Sequence, residues 1–279
     1  MSRALILSSF VAASRVGGGA QSLALSVLGI EPVLAPTVLF GRHPGLGAPG
    51  GGAVGPDLFQ NILSGIEAKG EFARFDLVLT GYFSHPDQVL AAAKAIDQIR
   101  AARADLGAAP PLVLIDPVMG DEGKGLYVQQ AVADALVERL LPRADILAPN
   151  AWELGYLTDK AISDPHSACT AARSLKTTVM VSSVPTEDQI GVVLATASEA
   201  WLACHPKLPK APSGVGDLLS ALMAVACLAG LAPQHALAQA VGGVYEALQA
   251  GLGDDELPIV AMGRALSDGS DQVNLILLD

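Results

Sequence analysis

The chain has 279 residues, of which 51% are hydrophobic and 4% aromatic, and it carries a formal net charge of −11. This length can bury one large core or two small ones. The acidic balance argues against nucleic acid or an anionic membrane as the main partner. The three cysteines, Cys169, Cys204 and Cys227, form no close pair in the sequence. This pattern favours neither a disulfide framework nor a zinc site, and it fits a reducing, cytoplasmic environment.

Two apolar segments have alternative interpretations. Residues 1–14 contain one arginine and a short apolar stretch, as a weak secretory signal does, but Ser8 and Ser9 interrupt that stretch early. We therefore predict that it forms a buried first strand. The nearly apolar run at 218–232 is shorter than the roughly 20 residues that a membrane span needs, and it predicts a buried helix.

Short apolar runs alternate with helical patterns along the chain. The predicted strands are residues 4–8, 32–38, 75–80, 112–115, 145–148, 178–181, 191–196 and 200–204. The predicted helices are residues 20–28, 57–68, 86–104, 128–141, 166–175, 217–229, 233–250 and 254–266, with Gly29 as a C-cap signal and Asp57 as an N-cap. The alternation predicts an α/β fold, a three-layer α/β/α sandwich with a mostly parallel central sheet. The closely spaced strands between 178 and 204 predict an antiparallel part, and since no linker divides the chain we expect a single domain, residues 1–279.

The loop at 41–56, GRHPGLGAPGGGAVGP, follows the second predicted strand. Ligands of open α/β sheets bind beyond the carboxyl ends of strands, so this loop is a candidate site. It contains a formal G-x-G-x-x-G match, but its glycines do not open a helix and Pro49 lies among them, which argues against a dinucleotide site. The loop is either a mobile surface segment or a flap over a substrate.

The loop DPVMGDEGKGLYV, residues 116–128, carries Asp116, Asp121, Glu122 and Lys124 just after a strand. Carboxylates beside a lysine suit a divalent cation with phosphates, because magnesium uses few carboxylates and keeps several waters. An ordinary acidic turn is the alternative interpretation.

The segment APNAWELGYLTD, residues 148–159, places Asn150 three residues before Glu153. This spacing is typical of a capping box at the start of a helix. Glu153 would also stand one turn into that helix at the end of a strand, where a metal-bound water could reach it.

The segment PSGVGDLLSAL, residues 212–222, places two glycines immediately before a predicted apolar helix. A helix N-terminus offers unpaired N–H groups and partial positive charge, and glycines leave it open to a phosphate. A carboxylate beside that phosphate suits a general base on the attacking hydroxyl better than a phosphate ligand. The alternative is that Asp217 is a plain N-cap.

A helix opened by G-x-G-D resembles the signature of the ribokinase-like kinases. The order DPVMGDEGKGLYV, then P-N-x-x-E at 149–153, then SGVGD resembles the pyridoxal kinase family, and SSFVAASRVGGGAQ, TVLFGRHPGLG and LTGYFS extend the resemblance over nearly the whole chain. It implies a ribokinase-like fold and ATP-dependent phosphorylation of the 5′-hydroxymethyl group of pyridoxal, with pyridoxine and pyridoxamine as further acceptors, in pyridoxal 5′-phosphate salvage. It also implies Mg²⁺ with ATP as co-substrate, a monovalent cation as a further candidate cofactor, and a homodimer.

The resemblance further implies a role for each matching residue. Asp217 would be the general base, and Gly214 and Gly216 would bound the anion hole. The pyridoxal side would comprise Ser9, Pro44, Gly45 and Tyr82, with residues 41–56 as substrate flap. The ATP side would comprise Asp116, Ala148, Asn150, Glu153, Ser182, Lys210, Ala211, Pro212 and Ser213, with 117–128 as a nucleotide-side loop. The candidate metal ligands are Asp121 and Glu153.

Two departures from the family pattern fall on the acceptor side. Pro44 stands where the family usually has a threonine, and Gly18 and Gly19 stand where polar side chains are usual. Phosphoryl transfer is therefore better supported than the identity of the acceptor. Two alternatives stay open: a ribokinase-like kinase for another small alcohol such as hydroxymethylpyrimidine, and a non-catalytic pyridoxal-binding protein.

Overall fold

Strands and helices alternate in the structure as the sequence predicts. The computed structural model describes residues 1–208 and 211–279. Its strands are β1 Arg3–Val11, β2 Glu31–Phe40, β3 Gly51–Ala53, β4 Leu77–Thr80, β5 Leu112–Ile115, β6 Gly120–Asp121, β7 Gly125–Leu126, β8 Ile146–Leu147, β9 Thr178–Pro185, β10 Gln189–Ala195, β11 Ala200–Pro206 and β12 Asn274–Leu277. Its α-helices are α1 Gly17–Val27, α2 Pro56–Ala68, α3 Pro86–Asp105, α4 Gln130–Ala135, α5 Ala151–Thr158, α6 Pro165–Ser174, α7 Val215–Leu228, α8 Pro233–Ala250 and α9 Ile259–Met262.

The central sheet has the strand order β12-β11-β10-β9-β8-β5-β4-β1-β2-β3. The strands from β2 to β9 in this order pair in parallel. The pairs β9–β10, β10–β11, β11–β12 and β2–β3 are antiparallel. The mostly parallel sheet and its antiparallel part are thus confirmed. β1 is flanked by β2 on one side and β4 on the other, so the strand order reverses there and opens a crevice at the carboxyl ends.

Helices cover both faces of the sheet because side chains alternate along each buried strand. In β1, Leu5 and Leu7 pack with the core under α2, α3, α4, α5 and α6. Ala4 and Ile6 pack with the opposite core, under α1, α7 and α8. The three-layer sandwich is confirmed, and the first apolar segment is a buried interior strand of its sheet.

Three of the differences between the predicted and the observed helix boundaries occur at prolines. α2 is capped by Gly55 rather than Asp57, since Pro56 takes the first helical position. The helix predicted at 254–266 begins only at Ile259, after Pro258, and ends as a 3₁₀ turn. The helix predicted at 128–141 is α4 followed by a π-helical turn, Leu136–Leu140, and a 3₁₀ turn containing Pro142.

Residues 218–228 of the apolar run form the body of α7, which packs in the second core, whereas residues 229–232 lie beyond the helix and are exposed. Within residues 1–208 and 211–279, none of the helices combines the length and apolar character that a membrane crossing requires.

Candidate active site

The carboxyl ends of the central strands and the N-terminus of α7 enclose a cavity of about 280 Å³. Its walls include most of the residues predicted for the phosphoryl-transfer side. These are Asp116, Asp121, Ala148, Asn150, Glu153, Ser182, Gly216 and Asp217. The chain folds these segments together because parallel strands present all their carboxyl ends on one edge of the sheet.

Asp217 lies in the first turn of α7 but does not cap it. The N-cap is Gly214, and Asp217 is three residues further on. Its Oδ2 instead accepts a hydrogen bond from the backbone N–H of Gly17, at 2.7 Å. Burial raises the pKa of Asp217 to about 6, against the lowering effect of this bond. The plain N-cap interpretation is therefore wrong, because the Asp217 carboxylate binds the loop after β1 instead of the N-terminus of its own helix.

The two glycines before Asp217 are needed for different reasons. Gly214 has φ +91°, and a side chain there would collide with the backbone oxygen of Arg15. At Gly216 a Cβ would meet no atom within 4 Å in the part of the chain that the structure describes. Packing requires glycine at the first position, whereas at the second the missing side chain leaves the helix N-terminus open toward the cavity.

Asp116 follows β5 and lies buried at the base of the cavity. Its Oδ2 accepts a hydrogen bond from Ser220 Oγ at 3.0 Å. Burial raises the pKa of Asp116 well above its ordinary value, and the nearby charges of Glu153 and Asp217 raise it further. Three carboxyl groups therefore share this wall, and a cation placed among them would relieve their repulsion.

Glu153 forms the predicted capping box with Asn150 at the start of α5. The Asn150 side chain accepts from Glu153 N at 2.8 Å, and Glu153 Oε2 accepts from Asn150 N at 2.9 Å. Glu153 Oε1 also accepts from the N–H groups of Met119, at 2.7 Å, and Gly120, at 3.3 Å. Burial raises the pKa of Glu153 to about 7, and these backbone donors oppose the rise. Glu153 thus joins α5 to the loop after β5.

Ser9 lies in β1, near its carboxyl end, and Tyr82 follows β4, the neighbouring strand at the crevice. Ser9 is buried near the end of β1, and a side chain at Gly17 would collide with its hydroxyl. Since Gly17 N–H donates to Asp217, these three residues are contiguous. Tyr82 comes two residues after β4, and its backbone oxygen accepts from Thr37 Oγ1 at 2.6 Å.

Pro44 and Gly45 lie in a one-turn 3₁₀ helix, Pro44–Leu46, on the exposed loop at 41–56. Neither belongs to the cavity wall around Asp217 within the described residues. Their neighbour His43 has a lowered pKa, chiefly through burial and also through the charge of Lys124, while Glu256 acts to raise it. The exposed loop therefore lies near both the loop after β5 and the loop after α8.

Some of the residues predicted for the ATP side line the cavity, and others lie outside its wall. Ala148 is buried in the wall, and Ser182 N donates to Pro149 O at 3.0 Å. Asp121 is partly exposed and pairs with Lys124 at 3.3 Å. The segment 211–213 leads into α7 without belonging to the cavity wall in the described part of the chain. Lys210 lies outside the described residues.

Sequence reasoning did not single out several side chains of this cavity, among them Ser220 and Tyr127. Ser220 lies three residues after Asp217 on α7, and this i,i+3 spacing is the signal that would have placed it on the same helix face. Tyr127 ends the segment DPVMGDEGKGLY, and burial together with the surrounding carboxylates raises its pKa. Tyr127 lies within the predicted nucleotide-side loop, residues 117–128, but no local pattern distinguishes it from the other residues of that loop.

Comparison with known proteins identifies the family. Residues 89–259 match the family model of phosphomethylpyrimidine kinase. The chain is 32% identical over 266 residues to the pyridoxal kinase PdxY of Leifsonia xyli, covering 92% of each chain. It is 34% identical over 230 residues to a pyridoxine/pyridoxal/pyridoxamine kinase of Bordetella avium, covering 80% of this chain and 76% of the relative. The pyridoxal kinase of Leishmania donovani, solved with ADP and pyridoxamine, superposes with a TM-score of 0.92 at 26% identity, over all of both chains. The chain therefore belongs to the pyridoxal kinase family and is a kinase with the ribokinase-like fold.

Proposed function

We propose that this kinase transfers the γ-phosphoryl group of ATP to the 5′-hydroxymethyl group of pyridoxal, and of pyridoxine and pyridoxamine, in the salvage of pyridoxal 5′-phosphate. The observation that carries the proposal is the placement of Asp217. Its carboxylate lies beside an open helix N-terminus on one side and the loop after β1 on the other. The relatives named for this reaction support the choice of acceptor.

Asp217 would act as the general base. With a pKa of about 6 it is largely ionised at neutral pH and accepts the hydroxyl proton as the oxygen attacks the γ-phosphorus. The bond from that phosphorus to the β,γ-bridging oxygen breaks, and ADP leaves with the electron pair. The N–H groups at the start of α7, from Gly214 to Gly216, would bind the transferred phosphoryl group.

The acceptor would lie between the ends of β1 and β4. Ser9 would hydrogen-bond the pyridine ring, and Tyr82 would pack near it. Residues 41–56, with Pro44 and Gly45, would close over the ring as the flap, and 117–128 would face the nucleotide. Asp116, Ala148, Asn150, Glu153, Ser182 and the segment 210–213 would border the ATP.

Mg²⁺ is the metal that these residues suit. No group of three or more His, Cys, Asp or Glu side chains in the described ranges is arranged to hold an ion alone. Magnesium needs only one or two carboxylates when phosphate oxygens and waters complete its shell. Asp116, Asp121 and Glu153 line one cavity, and bound Mg²⁺ would neutralise phosphate charge there. Three backbone N–H groups already donate hydrogen bonds to the Glu153 carboxylate. We therefore propose that Glu153 contacts Mg²⁺ through a bound water.

The proposal also includes the oligomeric state and the cellular location of the enzyme. Residues 1–279 would form one kinase domain that pairs as a homodimer in the cytoplasm, without nucleic acid or membrane as partner. A monovalent cation is a further candidate cofactor, whose test is the dependence of the rate on potassium.

The test is ADP release with a panel of alcohols: pyridoxal, pyridoxine, pyridoxamine and hydroxymethylpyrimidine. We expect release with the three pyridine alcohols, and release about 10²–10⁴-fold slower with D217N. The departures at Pro44, Gly18 and Gly19 favour hydroxymethylpyrimidine as the second candidate acceptor, and turnover of that alcohol alone would replace the proposal. If none of the alcohols elicits ADP release while pyridoxal still binds, the protein is a non-catalytic binding protein.

A further inference from the structure

The loop between β1 and α1, residues 12–16, cannot hold its position through local preferences alone. It leads into three successive glycines, Gly17, Gly18 and Gly19, and Gly17 has φ +58°. Glycine has more accessible backbone conformations than any other residue, and fixing it in one conformation costs more entropy. Contacts from elsewhere in the fold must therefore fix this β1–α1 loop.

Two carboxylates from distant parts of the chain bind backbone N–H groups at the end of the loop. Arg15 N–H donates to Glu256 Oε2 at 2.6 Å, across 241 residues of sequence. Gly17 N–H donates to Asp217 Oδ2 at 2.7 Å, across 200 residues. The Arg15 guanidinium adds a bond from Nη1 to Leu257 O at 2.8 Å. The loop is thus held from two sides at positions two residues apart.

Glu256 is itself well anchored. It belongs to the segment 251–258 that follows α8, and its neighbour Leu257 is completely buried in the second core, as is Ile259. The loop that Glu256 holds lies against the start of α7, where the Arg15 backbone oxygen leaves no room for a side chain on Gly214. The contact therefore connects the C-terminal core to the acceptor side of the site.

Asp217 cannot supply a constant restraint on this loop. As the general base it becomes a neutral carboxylic acid in each turnover, and an N–H bond to a neutral oxygen is roughly half as strong as one to a carboxylate. Glu256 takes no part in the proton transfer. Its bond to Arg15 N–H therefore persists while the bond between Gly17 and Asp217 weakens.

We propose that Glu256 is a positioning residue, which holds the β1–α1 loop and the adjoining Ser9 and Gly17 against α7 throughout the reaction. The restraint itself follows from the contacts, whereas its effect on turnover rests on the proposed function. Glu256 touches no reacting atom in this scheme, so its loss acts through the position of the loop.

Hydrogen exchange of the backbone amides at 12–20 tests the restraint without reference to activity. In E256A, we expect exchange there to accelerate about tenfold, the change that corresponds to losing a charge-assisted hydrogen bond. E256Q keeps an acceptor oxygen and should accelerate less. Asp254 lies in the same loop and is exposed, so D254A is the matched control, expected to exchange like the unmodified protein.

Steady-state kinetics test the consequence for the acceptor. In E256A we expect the KM for pyridoxal to rise about three- to tenfold while the KM for ATP stays unchanged, with E256Q between E256A and the unmodified enzyme. Unchanged exchange at 12–20 in E256A, or equal acceleration in D254A, would overturn the proposal. A raised KM without faster exchange would also overturn the proposal. The effect would then lie at His43, whose ring interacts electrostatically with Glu256. If the unmodified protein phosphorylates none of the pyridine alcohols, the proposed function fails while the exchange result still decides the role of Glu256.

Discussion

Replacing Asp217 by asparagine should abolish most of the activity and at the same time stabilise the fold. The asparagine side chain would keep an oxygen for the Gly17 N–H bond, so the local geometry should survive. It has no carboxylate to accept the hydroxyl proton, and loss of a general base typically lowers kcat by about 10²–10⁴. In the unmodified enzyme, kcat/KM should fall as the pH drops below about 6, because protonation then removes the base.

The stability gain follows from the pKa of Asp217. Burial raises it from 3.8 to about 6, so the folded state binds this proton more tightly than the unfolded chain does. The penalty for the ionised group is small at pH 4, grows as the pH rises through this interval, and is complete above about pH 6. The difference of roughly 2 pKa units corresponds to about 3 kcal/mol, of which the weaker bond from Gly17 to an amide oxygen returns about 1. D217N should therefore gain about 2 kcal/mol at pH 8, or roughly 4 °C in Tm.

Urea unfolding at pH 4 and pH 8, together with the rate of ADP release, measures both effects. Asp57 also lies in the first turn of a helix but is exposed, so D57N is the matched control. That change should lose only about 0.3–1 kcal/mol of favourable interaction with the helix dipole at pH 8. If D217N were less stable than the unmodified protein at pH 8, or if its turnover were near normal, the reasoning about a partly buried, reactive carboxylate would be refuted.

Further substitutions test the neighbouring features. G216A should keep stability or gain about 0.4–1 kcal/mol, because a methyl group there meets no protein atom within 4 Å in the described chain, yet kcat should fall about 10²-fold as the methyl blocks the phosphoryl group. G214A should instead lower Tm, since φ +91° and the Arg15 backbone oxygen both exclude a side chain; equal Tm values for the two variants would contradict this assignment. E153Q should shift the magnesium dependence of the rate to higher concentration, with partial rescue by excess magnesium, whereas a lower Tm with an unchanged magnesium curve would leave Glu153 only its capping role. P44T should lower the KM for pyridoxal about three- to tenfold with little change in kcat, as expected for one restored neutral hydrogen bond, and an unchanged KM would remove Pro44 from the acceptor site.

Local patterns in the sequence were sufficient for the architecture. The alternation of apolar runs and helical patterns predicted the parallel sheet, and the close spacing of three strands after residue 178 predicted its antiparallel part. These features depend on the side-chain periodicity of each segment, which neighbouring residues determine. The strand β12 was not predicted. It forms through pairing with β11, and Asn274–Leu277 carries no turn signal or alternation strong enough to show it alone.

Local sequence patterns predicted only part of the candidate site. The G-x-G-D order located Asp217 next to a helix start, and the Asn150–Glu153 spacing predicted a capping box that the structure contains. Both motifs lie within a few residues, so their geometry follows from the local backbone. The sequence left open whether Asp217 caps its own helix.

Only the tertiary structure decided that question, and the reason is physical. Asp217 accepts a hydrogen bond from Gly17, which lies 200 residues away in the sequence. Asp116 accepts one from Ser220, 104 residues away, and Glu256 accepts one from Arg15, 241 residues away. No local preference encodes such contacts, because they depend on the path by which α7 and the segment after α8 return to the ends of the strands. The raised pKa of Asp217 has the same origin, since burial among distant segments, rather than its sequence neighbours, removes water from the carboxylate.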